Sequence, residues 1–301
     1  MTLFSQAEAA RSKRVWFGLL VMLVLMGVAL LAPWLAPHDP YQSSFTQSRL
    51  PPMWVQSGPE PGMAEFPLGT DRYGRDILSR LIYGTRTAVA MALTAVPLAA
   101  LIGALTGLVA GYLGGRPSAW ILYVSDTIQS LPGLMFMVLI VLIFRNALAP
   151  TWLNGVITLV VGFAAVSWVS LTRLVRVNIQ QIRSQPFVEA AIALGASPAR
   201  IIGRHLLPNV LHVIVVWIIN NIPAVILLEA LLGYIGLGVT RGVDGDEFGV
   251  VSWGGLFFSG RAMLNFNPLV VLAPSMCILL MTMSFVLLGD WLSERRLRGR
   301  E

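Results

Sequence analysis

Long apolar runs separated by short polar stretches organise this chain from end to end. A helix needs about 20 apolar residues to cross a bilayer core. Six runs have that character, over roughly 15–36, 87–111, 119–144, 152–172, 210–238 and 268–292. The pattern predicts an all-α membrane protein with six transmembrane helices. It divides the chain into an N-terminal segment 1–14, a membrane domain 15–292 and a basic tail 293–301. The first run is too long, and too poor in small-residue cleavage sites, for a removable signal peptide, so it reads as a retained anchor.

Between the fourth and fifth runs lies a polar-flanked helical hairpin, within the loop 173–209. Pro186 suits the first position of a helix and Gly195 the left-handed residue just past its end. Ser197 is a good N-cap with Pro198 at the next first position, and Pro208 is expected to bar continuation. Phe187, Ala190, Ala191 and Leu194 recur at i, i+3, i+4 and i+7, so one face is apolar and mostly small. Small side chains let another surface come close to the backbone, which makes this a docking helix. Glu189, in the first turn, can interact with the helix dipole or pair with a basic residue of a partner or of the local arginine cluster.

The segment between the first two runs has two parts. Residues 37–67 are rich in Pro, Ser, Gln and Gly and read as an extended loop. From Leu68 a helix is expected, capped by Thr70 or Asp71, so that 37–86 holds a loop and an amphipathic helix. Ile77, Leu78, Leu81 and Ile82 would form its apolar stripe opposite Arg75, Asp76, Ser79 and Arg80, lying in the interface or over the bundle.

Composition supports a membrane domain: 56% of residues are hydrophobic, 12% charged, and the mean hydropathy is +0.73. Orientation follows the basic residues. Arg11, Lys13 and Arg14 precede the first span, Arg295, Arg296, Arg298 and Arg300 follow the last, and Arg173, Arg176, Arg183, Arg200 and Arg204 surround the hairpin. An even number of spans places all three regions on the cytoplasmic side. Arg72, Arg75, Arg80 and Arg86 fall outside in this scheme, partly offset by Asp71 and Asp76. The net charge of +6 therefore reads as topology rather than as nucleic-acid binding.

Ionisable and amide groups within spans are functional candidates. Asp126 lies in the third span, and Asn220, Asn221 and Glu229 in the fifth, near the helix-breaking Pro223. The last three either line a pathway or bind span 5 to its neighbours. Cys277, the single cysteine, excludes an intrachain disulfide. His38, His205 and His212 have no metal-ligand spacing. No G-x-x-x-x-G-K-[ST] phosphate loop occurs, so any ATP hydrolysis must belong to a partner.

The hairpin resembles the EAA loop of inner-membrane permease subunits from binding-protein-dependent ABC importers. The residues that carry this are Glu189-Ala190-Ala191, Gly195, and Leu207-Pro208. With Gly69-Thr70-Asp71, Gly74-Arg75-Asp76 and Ser79-Arg80, the chain is similar to the C-type subunit of dipeptide/oligopeptide (and nickel) permeases. Gly111-Tyr112, Gly236-Leu237-Gly238, Trp253-Gly254 and Gly289-Asp290 extend the likeness. His205 departs from it, as do the long run 239–252 and the tail after Asp290.

The resemblance implies a type I ABC importer fold in the bacterial inner membrane, with both termini cytoplasmic. It implies a heterodimer with a homologous B-type permease, one or two ATPase subunits carrying ATP and Mg, and an extracytoplasmic binding protein that delivers peptide. Phe187, Glu189, Ala190, Ala191, Leu194, Gly195, Arg200, Leu207 and Pro208 are then the ATPase-coupling residues, and Gly69, Thr70, Asp71, Gly74, Arg75 and Asp76 a structural motif. This chain itself would be no enzyme and hold no cofactor. A nickel or other small-solute importer is the variant within the same class. A self-sufficient secondary transporter would instead show inverted repeats and charged relays in its spans.

Overall fold

The computed structural model describes residues 2–56, 61–148, 155–239 and 250–298, and the described residues are almost entirely helical. Ten helices follow one another among them: α1 (Thr2–Leu35), α2 (Ile77–Leu113), α3 (Gly115–Ser130), α4 (Gly133–Leu148), α5 (Val156–Arg183), α6 (Pro186–Ala193), α7 (Pro198–Ile201), α8 (Leu207–Tyr234), α9 (Trp253–Gly260) and α10 (Leu269–Arg298). Five stretches among the described residues are long and apolar enough to cross a membrane: Lys13–Leu35, Ile77–Leu113, Val156–Arg183, Pro198–Tyr234 and Leu269–Ser293. The bent pair α3–α4 makes a sixth if counted as one span.

That pair is the span expected over 119–144, and it is bent. The two helices meet at 92° across a short break. Pro132 causes it: proline has no N–H to continue the ladder, and it pushes the preceding residue out of the helical region. Leu131 accordingly adopts φ −84°, ψ 141°.

Two further expectations change for the opposite reason, because helices run on. No separate amphipathic helix precedes span 2; α2 is continuous from Ile77. Its N-cap is Asp76, not Thr70 or Asp71, and the Asp76 carboxylate accepts from the N–H groups of Leu78 and Ser79 at 3.3 and 3.0 Å. The polar side is the buried one: Arg75, Asp76, Ser79 and Arg80 are buried, the last two against His38 and Pro40, whereas of the apolar stripe Ile77 is buried and Leu78, Leu81 and Ile82 are only partly covered.

At the other site, Pro208 does not stop the chain. It sits in the first turn of α8. The residues before it, Ile202–Leu206, form a π-helical turn. The wider turn carries the backbone past proline's missing donor and its clash with the carbonyl of Arg204. At the two ends of the remaining spans, α5 outlasts the expected boundary at 172 by eleven residues, and α10 takes in the tail as far as Arg298. Most of the unusual run 239–252 lies outside the described residues.

The core is organised around α2 and α5, which share the largest helix–helix interface. Gly103, Gly107 and Gly111 recur every fourth residue along α2. A Cβ at Gly103 would stand 2.7 Å from the Trp168 carbonyl oxygen, and one at Gly107 2.7 Å from Val175 Cβ and 2.8 Å from the Thr172 carbonyl oxygen. At Gly111 it would stand 2.7 Å from Ile179 Cβ. Glycine here allows backbone-to-backbone approach, the small-xxx-small packing that associates helices in lipid, where hydrophobic exclusion gives no drive. Thr106 and Thr172 hydroxyls bond across the same seam. On the other side α2 meets α1 and α8, while α10 closes the bundle against α1 and α8.

Candidate functional site

At the far end of α5 the chain turns into the hairpin. Pro186 opens α6 at its first position. Gly195 closes it with φ +80°. The Gly195 N–H bonds the Ile192 carbonyl at 2.9 Å and the Ala196 N–H bonds the Ala191 carbonyl at 3.0 Å. These are the two bonds of a Schellman ending, which satisfies carbonyls that the helix terminus leaves free. Ser197 stands at the N-cap of α7 as its position suggests, but its side chain makes no capping bond.

The hairpin is held by residues that periodicity did not single out. Val188, Ile201, Leu206 and Val210 are fully or almost fully buried and join the cluster containing Val175 and Ile179 of α5. Removing such a side chain from water stabilises a fold by about 1.5–3 kcal/mol each. Because Val188 points inward, the stripe Phe187–Ala190–Leu194 points outward. Phe187 and Leu194 are 47% and 88% exposed. Phe187 also rests against His205, ring centres 6.0 Å apart. Ala190, Glu189, Arg200, Leu207 and Pro208 are exposed and Ala191 is half-buried. Glu189 makes no ion pair among the described residues.

The base of the hairpin is tied to neighbouring helix ends. Arg183 donates to the Tyr112 carbonyl and lies 5.2 Å over its ring, and Arg176 donates to Ser118 Oγ at 3.1 Å. The end of α5 that leads into the hairpin is thereby joined to the ends of α2 and α3.

At the opposite end of α2, residues 69–76 form a buried turn. Asp71 accepts from the backbone N–H groups of Tyr73 and Arg75 and from Arg75 Nε at 2.8 Å, and its Oδ2 lies 2.6 Å from Arg75 Nη2. Arg80 adds a second cation 3.9 Å from the same oxygen and donates to the Pro40 carbonyl. Arg75 and Arg80, which counted against the orientation scheme, are thus internal charges of a folded turn. Thr70 accepts from the Leu50 N–H and donates to the Gln47 carbonyl. Gly69 and Gly74 have positive φ, and a Cβ on Gly74 would fall 1.8 Å from the Ser44 carbonyl oxygen. Asn267, before α10, donates to the Leu68 carbonyl at 2.8 Å, so the turn also anchors the end of the bundle.

The three amide and carboxylate candidates of span 5 are placed separately. Glu229 is buried, and its Oε2 accepts from the Gly254 N–H at 3.3 Å, in the first turn of α9. A carboxylate there complements the helix dipole, alongside the Ser252 cap on the Gly255 N–H. Asn221 donates to the carbonyl of Trp217 on its own helix. Asn220 is exposed on α8 next to Gly289, where any Cβ would meet its Oδ1 at 2.1 Å.

Five long apolar helices, a bent α3–α4 pair that makes a sixth span if counted as one, and an exposed helical hairpin define a multi-pass helical membrane protein. The sequence comparisons specify which kind. Residues 103–298 match the family described as "binding-protein-dependent transport system inner membrane component", and residues 10–52 match the "N-terminal TM domain of oligopeptide transport permease C". The chain belongs to this binding-protein-dependent permease family. It is 34% identical over 285 residues to the di/tripeptide transport system permease protein DppC of Pseudomonas aeruginosa, covering 95% of this chain and 88% of that one. It is 30% identical to the dipeptide transport system permease protein DppC of Bacillus subtilis, covering 94% and 81%. An inward-facing structure of the MetNI methionine ABC transporter shares the fold, with a TM-score of 0.55 at 16% identity over 73% of this chain and 97% of that one.

Proposed function

We propose that this chain is the permease subunit of an ATP-driven importer of di- and oligopeptides. It forms half of the translocation pathway beside a homologous B-type permease. An extracytoplasmic binding protein delivers the peptide, and ATPase subunits, which carry ATP and Mg, drive transport from the cytoplasm. The observation that carries this reading is the hairpin 186–206: it is rigidly seated through Val188, Ile201 and Leu206, yet presents Phe187, Ala190 and Leu194 outward. Such a face suits a helix-in-groove contact. Closure of an ATPase pair would push the hairpin, and the Arg183–Tyr112 and Arg176–Ser118 ties would carry that motion to α2 and α3. The peptide relatives support the substrate class. The basic residues around the hairpin and at both ends support cytoplasmic termini in a bacterial inner membrane.

The test is purification of the tagged chain from mild detergent, with ATPase assay and identification of copurifying subunits. A second permease and one or two ATPases are expected, with the ATPases lost in the double variant Phe187→Ala, Leu194→Ala. A homomer free of ATPase that still transports peptide in liposomes would overturn the reading.

A further inference from the structure

Helix α3 is too polar on one side to lie against lipid, and apart from the Arg173 side chain the described residues leave that side largely exposed. Tyr123, Asp126, Thr127 and Ser130 recur at i, i+3, i+4 and i+7, and all four are exposed. Ile121, Ser125 and Ile128, partly or fully covered, occupy the other side. The polar stripe continues onto α5. Arg173 donates to Asp126, with side-chain exposures of 43% and 65%, and Ser170 is exposed about one turn earlier. This ion pair is not at a helix end. Arg173 precedes Arg183 by ten residues and follows Val156 by seventeen, placing it about 15 Å from one end of α5 and about 25 Å from the other. The pair thus lies in the half of α5 nearer the hairpin, in keeping with Arg173's place among the hairpin's basic residues, and a charged pair there faces a bundle interior or water rather than hydrocarbon.

A second observation points to water. The break between α3 and α4 falls beside the stripe, and Gln129 to Gly133 are all exposed. Non-helical backbone at membrane depth is tolerated only inside protein or along an aqueous cavity. The hydroxyls of Thr127 and Ser130 donate to carbonyls of their own helix, which leaves their acceptor lone pairs turned outward. Ser170 is held in place from both sides, donating to the Ser167 carbonyl and accepting from Trp217 Nε1.

We infer that the α3–α5 seam, from Tyr123 through Asp126–Arg173 to Thr127, Ser130 and Ser170, is this subunit's wall of the solute pathway. Adjacent opposite charges, hydroxyls and open peptide groups suit a zwitterionic, hydrogen-bonding solute such as a short peptide. This rests on the importer reading and adds to it a place and a chemistry, in a helix pair distinct from span 5.

The experiment uses the assembled complex in membranes, with Cys277→Ser as background. Tyr123→Cys and Ser130→Cys are compared with Leu279→Cys, an exposed position on α10. The probe is the membrane-impermeant cationic reagent trimethylammonioethyl methanethiosulfonate. The seam positions are expected to react on the order of tenfold faster than Leu279→Cys, because an ionised reagent does not enter hydrocarbon. Ser170→Cys provides a third seam position should either variant assemble poorly. Equal, slow labelling at all seam positions in a complex that retains its ATPases and uptake would overturn the seam alone. An unmodified chain without copurifying ATPase would remove the importer reading and the seam with it.

Discussion

Gly195 separates two ways in which a hairpin can fail. Its φ of +80° lies in the left-handed region, and no heavy atom lies within 4 Å of an added Cβ. Gly195→Ala therefore meets no steric obstacle among the described residues and bears only the backbone cost of the left-handed conformation, about 1–2 kcal/mol. That cost acts on the two Schellman bonds, Gly195 N–H to Ile192 and Ala196 N–H to Ala191. A penalty of that size changes the ratio of closed to opened hairpin about 5–30-fold. Global stability should barely move, since the spans are untouched. Peptide uptake and ATPase recovery should fall several-fold. Gly195→Asn is the control: asparagine enters the left-handed region more readily, and the site has room for it. It should restore much of the coupling. Wild-type uptake in Gly195→Ala would show that the hairpin's ending is irrelevant to coupling. Asparagine failing as badly as alanine would refute the backbone argument and leave a steric clash with the docked partner as the cause.

Other positions test the packing and the buried charges. Asp71→Asn strips the anion from beside Arg75 and Arg80 in a turn that excludes solvent, a loss of about 3–5 kcal/mol; trypsin should then cut readily after Arg49 or Arg72, and resistance as in the wild type would contradict the pairing. Gly107→Val should destabilise the α2–α5 seam by about 1–3 kcal/mol in thermal unfolding of the detergent-solubilised complex. Val175→Ala should not rescue it, because the clash is with Val175 Cβ and the Thr172 carbonyl. Glu229→Gln keeps an acceptor for the Gly254 N–H and should leave thermal stability nearly unchanged, whereas Glu229→Leu should lower it; equal losses would mean that the charge itself matters.

Much of the hairpin could be read from the chain before any fold was known. Pro186, Gly195 and Pro198 act through the φ angles and donors of a single residue, so their meaning carries into the fold, whereas Ser197 holds the N-cap position without making the capping bond. What holds the same hairpin in its orientation could not be read. Whether the Phe187–Leu194 stripe faces inward or outward depends on Val188, Ile201 and Leu206 finding α5, and these are ordinary apolar residues in sequence. Pro132 and Pro208 show the limit of local punctuation. One proline breaks a span at 92° and the other is absorbed by a π turn.

The order of residues is enough to make this a helical membrane protein, because spanning demands long apolar runs and every backbone group must be satisfied within a helix. It is also enough to say where the docking hairpin begins and ends. Helix packing was needed to make a seam of Gly103, Gly107 and Gly111, to put Asp76 rather than Asp71 at the cap of α2, and to set Asp71 against two buried arginines. Packing likewise turns Glu229 inward to α9 while Asp126 and Arg173 meet in the open. Local dihedral preferences act within a few residues and are written in the order of the chain. Close approach, burial and charge pairing join residues tens of positions apart, and they exist only once the helices have packed.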